Sequence, residues 1–139
     1  MSADEHALSL LALANDDLKA SRVMARQVED FSDAIFGFHI QQTVEKALKA
    51  WLAALGVVYP KTHELHRLLI ILTENGAAMD RFQWVEGFNP FAVQCRYESS
   101  QWDEPLDRNL SVLWAEQLLG HVTKQVNGMA MSGARSGGT

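Results

Sequence analysis

Residues 35–60 read IFGFHIQQTVEKALKAWLAALGVVYP and form one helix with two kinds of face. At about 100° per residue, Phe36, Ile40, Val44, Ala47, Leu48, Trp51 and Leu55 fall in one broad arc, the apolar stripe by which a helix enters a core. On another side His39, Gln42, Lys46 and Lys49 follow at spacings of three, four and three. Those spacings stack side chains along the axis, so an imidazole, an amide and two ammonium groups form a polar line. Such a line is either a solvated helix face or a surface suited to phosphate or a nucleic-acid backbone. No residue in it identifies a reaction.

Working outward, Pro60 ends this region, and the two other prolines, Pro90 and Pro105, also read as boundaries. Upstream, a helix is expected from about Ala3 to Glu29. Ser2 and Glu5 have capping-box spacing, and Leu11, Ala14, Leu18, Ser21, Ala25 and Val28 form a narrow stripe whose small residues predict close helix–helix approach. The quoted helix is expected over about Asp33 to Leu55, with Gly56 as the residue just past its end. Thr62 is the expected cap of a third helix, His63 to Asn75, with Leu65, Leu68, Leu69 and Leu72 facing the core. Residues 77–100 are dense in aromatics, from Phe82, Trp84 and Phe88 to Phe91 and Tyr97, and read as a short helix, a turn at Pro90 and a further helical turn or two. A last helix is expected from Asp103 to about Val126, with Pro105 in its first turn. Residues 1–127 then make one helical domain, and the Gly- and Ser-rich stretch 128–139 is expected to be a mobile tail. With no convincing strand, the expected architecture is an all-α, antiparallel, up-and-down bundle of about five helices.

The 139 residues suffice for one core without staples. A net charge of −5 argues against coating nucleic acid by bulk electrostatics but leaves room for a local basic groove. A single cysteine, Cys95, excludes an internal disulfide and a thiolate zinc cluster. The acidic N-terminus lacks the basic start of a secretion signal, and no apolar run has the length of a membrane span, so a cytoplasmic location is expected.

Around the polar line, His63 and Arg67 on the third helix, with Arg96 and Tyr97 in the aromatic segment, are the residues that could extend a phosphate site. Arg and Lys grip phosphate by charge and forked hydrogen bonds, and Tyr or His can stack on a base. The alternative is that His63 bonds nearby backbone and Arg67 is a surface charge. His63 and His66 have helical spacing for a shared metal but no clear third ligand, and the run Glu98, Asp103, Glu104, Asp107 reads as a solvated face with helix-start charge. No metal or cofactor is expected. Phosphate-cradling glycine loops and serine nucleophile elbows are absent.

The run Phe38-His39-Ile40-Gln41-Gln42-Thr43-Val44-Glu45-Lys46-Ala47-Leu48-Lys49-Ala50, followed by Gly56, Tyr59-Pro60, Thr62-His63-Glu64-Leu65 and Leu68-Leu69, resembles the HEPN domain (higher eukaryotes and prokaryotes nucleotide-binding). The segments Asn15-Asp16 to Ala20 and Arg96-Tyr97 look like that family too, and the likeness covers roughly residues 10–125. It implies an all-α bundle that commonly dimerises. It also implies work beside a minimal nucleotidyltransferase as its nucleotide-binding partner, in some cases within a toxin–antitoxin pair. Many other members are metal-independent RNases whose Arg is followed by a His after four to six intervening residues.

This chain departs from that nuclease pattern, since no Arg has a His five to seven positions on. Arg108 and His121 share the last helix but lie about 20 Å apart along it. Cleavage needs a proton shuttle beside a group that stabilises the developing charge. The expected function is therefore non-catalytic binding of a nucleotide or RNA phosphate through His39, Gln42, Lys46, Lys49 and His63, assisted by Arg96 and Tyr97. The alternatives are an endoribonuclease with an atypical active site, assembled across a homodimer, and a structural dimerisation module.

Overall fold

A computed structural model describes residues 3–92 and 105–137. Helices α1 (Ala3–Arg26), α2 (Asp33–Ala54), α3 (Leu65–Glu74) and α4 (Arg108–Gly137), with a 3₁₀ segment at Asp80–Ala92 between α3 and α4, make up the chain. There is no strand among the described residues. The all-α bundle expected from the sequence is the observed architecture, and α2 lies at its centre, packed against every other element. That position buries α2 well beyond one stripe: Gln41, Thr43, Glu45, Ala50, Leu52 and Ala53 are buried along with the predicted arc from Phe36 to Trp51, while Leu55, the last residue of that arc, is only partly buried at the helix end. Arg96, Tyr97, Cys95 and the expected Asp103 cap lie outside the described residues.

The element boundaries have local causes. Ser32 caps α2 by accepting from the amide of Ile35 at 3.2 Å. At the other end the Gly56 amide donates to the Ala53 carbonyl and the Val57 amide to the Leu52 carbonyl, both at 3.0 Å. This double closure requires a left-handed residue, and Gly56 supplies it with φ +73°. Helix α1 packs through Ala7, Leu11, Ala14, Leu18, Ser21 and Met24. Ala7, Ala14 and Ser21, all fully buried, let its backbone come close to α2. The stripe turns to Met24 at its end, and Val28, predicted to continue it, is exposed because the helix stops at Arg26.

Two segments differ from the sequence reading. Helix α3 starts at Leu65 rather than His63. Thr62 takes the Glu64 amide at 3.1 Å, and the Leu65 amide is capped from a distant segment by the Asn89 side chain at 2.6 Å. Its four leucines face the core as expected, each contributing roughly 2 kcal/mol of burial.

Residues 80–92 are two 3₁₀ stretches joined across a kink at Phe82, where φ is −117°, and the second passes through Pro90 without the expected turn. The cause is visible in the spacing: Met79, Phe82, Val85, Phe88 and Phe91 recur every third residue and are all buried. Side chains three apart eclipse in a 3₁₀ helix, so this pattern presents one continuous apolar ridge to α2 and α3. The ridge ends with Phe91 flush against Gly37 of α2, where a Cβ would overlap the ring.

Helix α4 starts later than expected. Asp107 is its cap, accepting from the Leu110 amide at 3.0 Å, and Pro105 precedes it. It continues to Gly137, past Val126, where the apolar periodicity that located the helix in sequence ends. Among the described residues no helix is long and apolar enough to cross a membrane.

Candidate functional site

The polar line of α2 is part of a network that includes its neighbours. Close packing of α1 through Ala14 and Ser21 sets Asp17, which lies on the same face between them, against α2. His39 donates from Nδ1 to one Asp17 oxygen at 3.3 Å, and Lys46 Nζ bonds the other. Burial pushes the Asp17 carboxyl up, but the hydrogen bonds and charges of His39 and Lys46 outweigh it. Its pKa therefore lies below the ordinary carboxylate value.

One turn along, Glu45 is only 4% exposed and would be costly as a lone buried charge. It accepts from Gln41 at 3.0 Å, Lys49 at 3.2 Å and His63 Nδ1 at 2.9 Å. Gln41 also donates to the His63 carbonyl at 3.2 Å and accepts from Gln42 at 2.7 Å. The loop before α3 is thereby tied to α2. Lys49 also lies 6.0 Å from the centre of the Tyr59 ring, and the Tyr59 hydroxyl meets His6 Nε2 of α1 at 2.8 Å. Burial raises the Tyr59 pKa, which keeps that hydroxyl protonated.

His39, Gln42, Lys46, Lys49 and His63 are thus arranged in two neighbouring clusters on α2, His39 and Lys46 around Asp17 and the others around Glu45, rather than as a bare cationic line. The two carboxylates balance the two ammonium groups, so net positive charge arises only when His39 or His63 is protonated. Donors and acceptors alternate, which suits a ligand with both an anionic group and hydroxyl or amino donors. Arg67 is exposed on α3. Arg96 and Tyr97 lie outside the described residues. His63 and His66 turn to different carboxylates, Glu45 and Glu86. Among the described residues no group of three or more His, Cys, Asp and Glu side chains is placed to hold a metal.

Asp17 and Tyr59 lie outside α2, Asp17 being separated from His39 by 22 residues, so spacing within one helix does not reveal them as partners, whereas Gln41 and Glu45 stand four residues apart on α2 itself. The available clue was an acid set among the small residues of α1, at the place where that helix must approach a neighbour.

The arginines divide by surroundings. Arg108 is 8% exposed. It donates from Nε to Asp33 at 3.0 Å and from its terminal nitrogens to the carbonyls of Met24 and Phe31. That guanidinium ties the α1–α2 turn to the start of α4. His121, too far along α4 to meet Arg108, instead faces Arg81 of the 3₁₀ segment.

No curated protein and no solved structure matches the chain. The family model of the HEPN domain matches residues 7–124, from within α1 to the middle of α4. The chain belongs to the HEPN domain family.

Proposed function

We propose that this protein binds a nucleotide or the phosphate of RNA without cutting it, on the α2 face formed by His39, Gln42, Lys46, Lys49 and His63. The observation that carries this reading is the pairing of a lysine and a histidine with each of two carboxylates, the part-buried Asp17 and the buried Glu45. Perturbed ionisable groups gather at functional sites as well as in structural ion-pair networks, and Asp17, held below the ordinary carboxylate value, is such a group. The lysines and protonated imidazoles would take the phosphate, while Asp17 and Glu45 would accept from sugar hydroxyls or base amino groups. Arg96 and Tyr97 would add a fork and a stacking ring. The non-catalytic reading follows from the sequence, in which no Arg is followed by a His five to seven positions on, the spacing that would set a proton shuttle beside a charge-stabilising group.

Membership in the HEPN domain family supports a nucleotide- or RNA-related role. The likeness of Phe38 to Ala50 to the branch found beside minimal nucleotidyltransferases supports such a protein as partner. A homodimer working in a regulatory or toxin–antitoxin pair fits the same likeness. Isothermal titration with ATP and GTP, on the wild type and on Lys46→Gln/Lys49→Gln, tests the binding. Loss of two charge-assisted contacts is expected to weaken affinity by about tenfold or more. Equal affinities, or no binding to either protein, would remove the claim.

A further inference from the structure

Arg81 and His121 meet in a second cleft, of about 510 Å³, between the 3₁₀ segment and α4. Arg81 Nη2 lies 2.9 Å from His121 Nδ1. An arginine only donates, so Nδ1 accepts, and the neutral imidazole carries its proton on Nε2. Burial, together with the charges of Arg81 and Lys124, holds the His121 pKa below the ordinary histidine value, consistent with that neutral form. Lys124 follows His121 by three residues on α4 and Gln117 precedes it by four, so all three share one face.

The Arg81 guanidinium lies over the Phe82 ring at 5.1 Å, and the imidazole packs edge-on against Trp51 at 5.0 Å. The cleft is lined by Arg81, Phe82, Gln117, Gly120, His121 and Lys124, with no carboxylate among these described residues. This is the opposite of the α2 network, where each lysine has an acid. The remaining guanidinium protons, the ammonium, the imidazole Nε2–H and the Gln117 amide all offer donors. Phe82 and Trp51 are each 3% exposed, so neither presents an open face on which a base could stack.

We propose that the Arg81–His121–Lys124 cleft is a second anion site, one that takes phosphate esters by charge and forked hydrogen bonds whatever base they carry. Phosphate suits it because its oxygens diverge in three dimensions, as these donors do. The site stands apart from the α2 network, since Trp51 and Gln42 lie roughly 180° apart around α2 at about 100° per residue. One small ligand cannot occupy both.

The test is an NMR titration of the full chain, following the His121 ring protons. Ribose 5-phosphate, AMP and UMP are expected to shift them with comparable affinity. Adenosine, and acetate at matched ionic strength, are expected to leave them unmoved. Arg81→Gln and Lys124→Gln are each expected to weaken the response by about tenfold, whereas Lys46→Gln/Lys49→Gln is expected to leave it intact. An oligouridylate without terminal phosphates separates the sources: a response supports backbone diesters, and silence beside a ribose 5-phosphate response supports terminal monoesters. A response that depends on the base, one matched by acetate or adenosine, or one unchanged in both cleft variants would overturn the proposal. Loss of the AMP response on Lys46→Gln/Lys49→Gln alone would return AMP binding to the α2 network.

Discussion

Asp17 shows how much one side chain depends on what surrounds it. Burial alone would favour its neutral form, yet His39 and Lys46 hold it ionised at lower pH than an ordinary carboxylate. A carboxyl whose folded pKa is depressed stabilises the fold above the unfolded carboxylate pKa, and that contribution is lost as pH falls through the folded value. Asp17→Asn is therefore expected to be less stable by about 1 kcal/mol near neutral pH. The gap to the wild type should close as the solution is made more acid than the ordinary carboxylate range. Urea denaturation at a series of pH values measures this, and a gap constant with pH would count against the charged pairing. Lys46 and Lys49, in turn, each share their charge with a carboxylate of the fold, so a phosphate would meet them as members of ion-pair clusters and not as bare cations.

Among the elements, the 3₁₀ segment is the most instructive. Two 3₁₀ stretches meet at the Phe82 kink, and an apolar side chain at every third position turns inward against α2 and α3 in that geometry. The same segment carries Asn89, whose side chain caps α3 from outside the helix. Asn89→Ala is expected to cost about 1 kcal/mol, the usual value of a lost cap, with the loss seen as faster amide exchange in the first turn of α3. Unchanged exchange there would show that α3 stands without the contact. Residues 62–65 alone do not encode this cap, because its acceptor lies 24 residues further along the chain.

For the whole molecule, Arg108 is the point where α1, α2 and α4 are tied together. Its removal leaves Asp33 and two carbonyls without their shared donor, so Arg108→Met is expected to destabilise the fold by about 3 kcal/mol or more. That is a large share of the roughly 5–15 kcal/mol that holds a domain together. Thermal melting measures it, and Asp33→Asn in the same chain should recover part of the loss by removing the stranded charge. A variant melting with the wild type would show the tie to be dispensable.

The sequence by itself determined the helical class, the long α2 with its Gly56 stop, the leucine face of α3 and the grouping of His39, Gln42, Lys46 and Lys49, because each is a local repeat along one backbone. Only the tertiary structure decided that Asp17 and Glu45 hold those cations, that Arg108 is spent on the core, and that Arg81 meets His121 across 40 residues. Charge pairing and desolvation depend on distance in space, and spacing within one helix does not encode them.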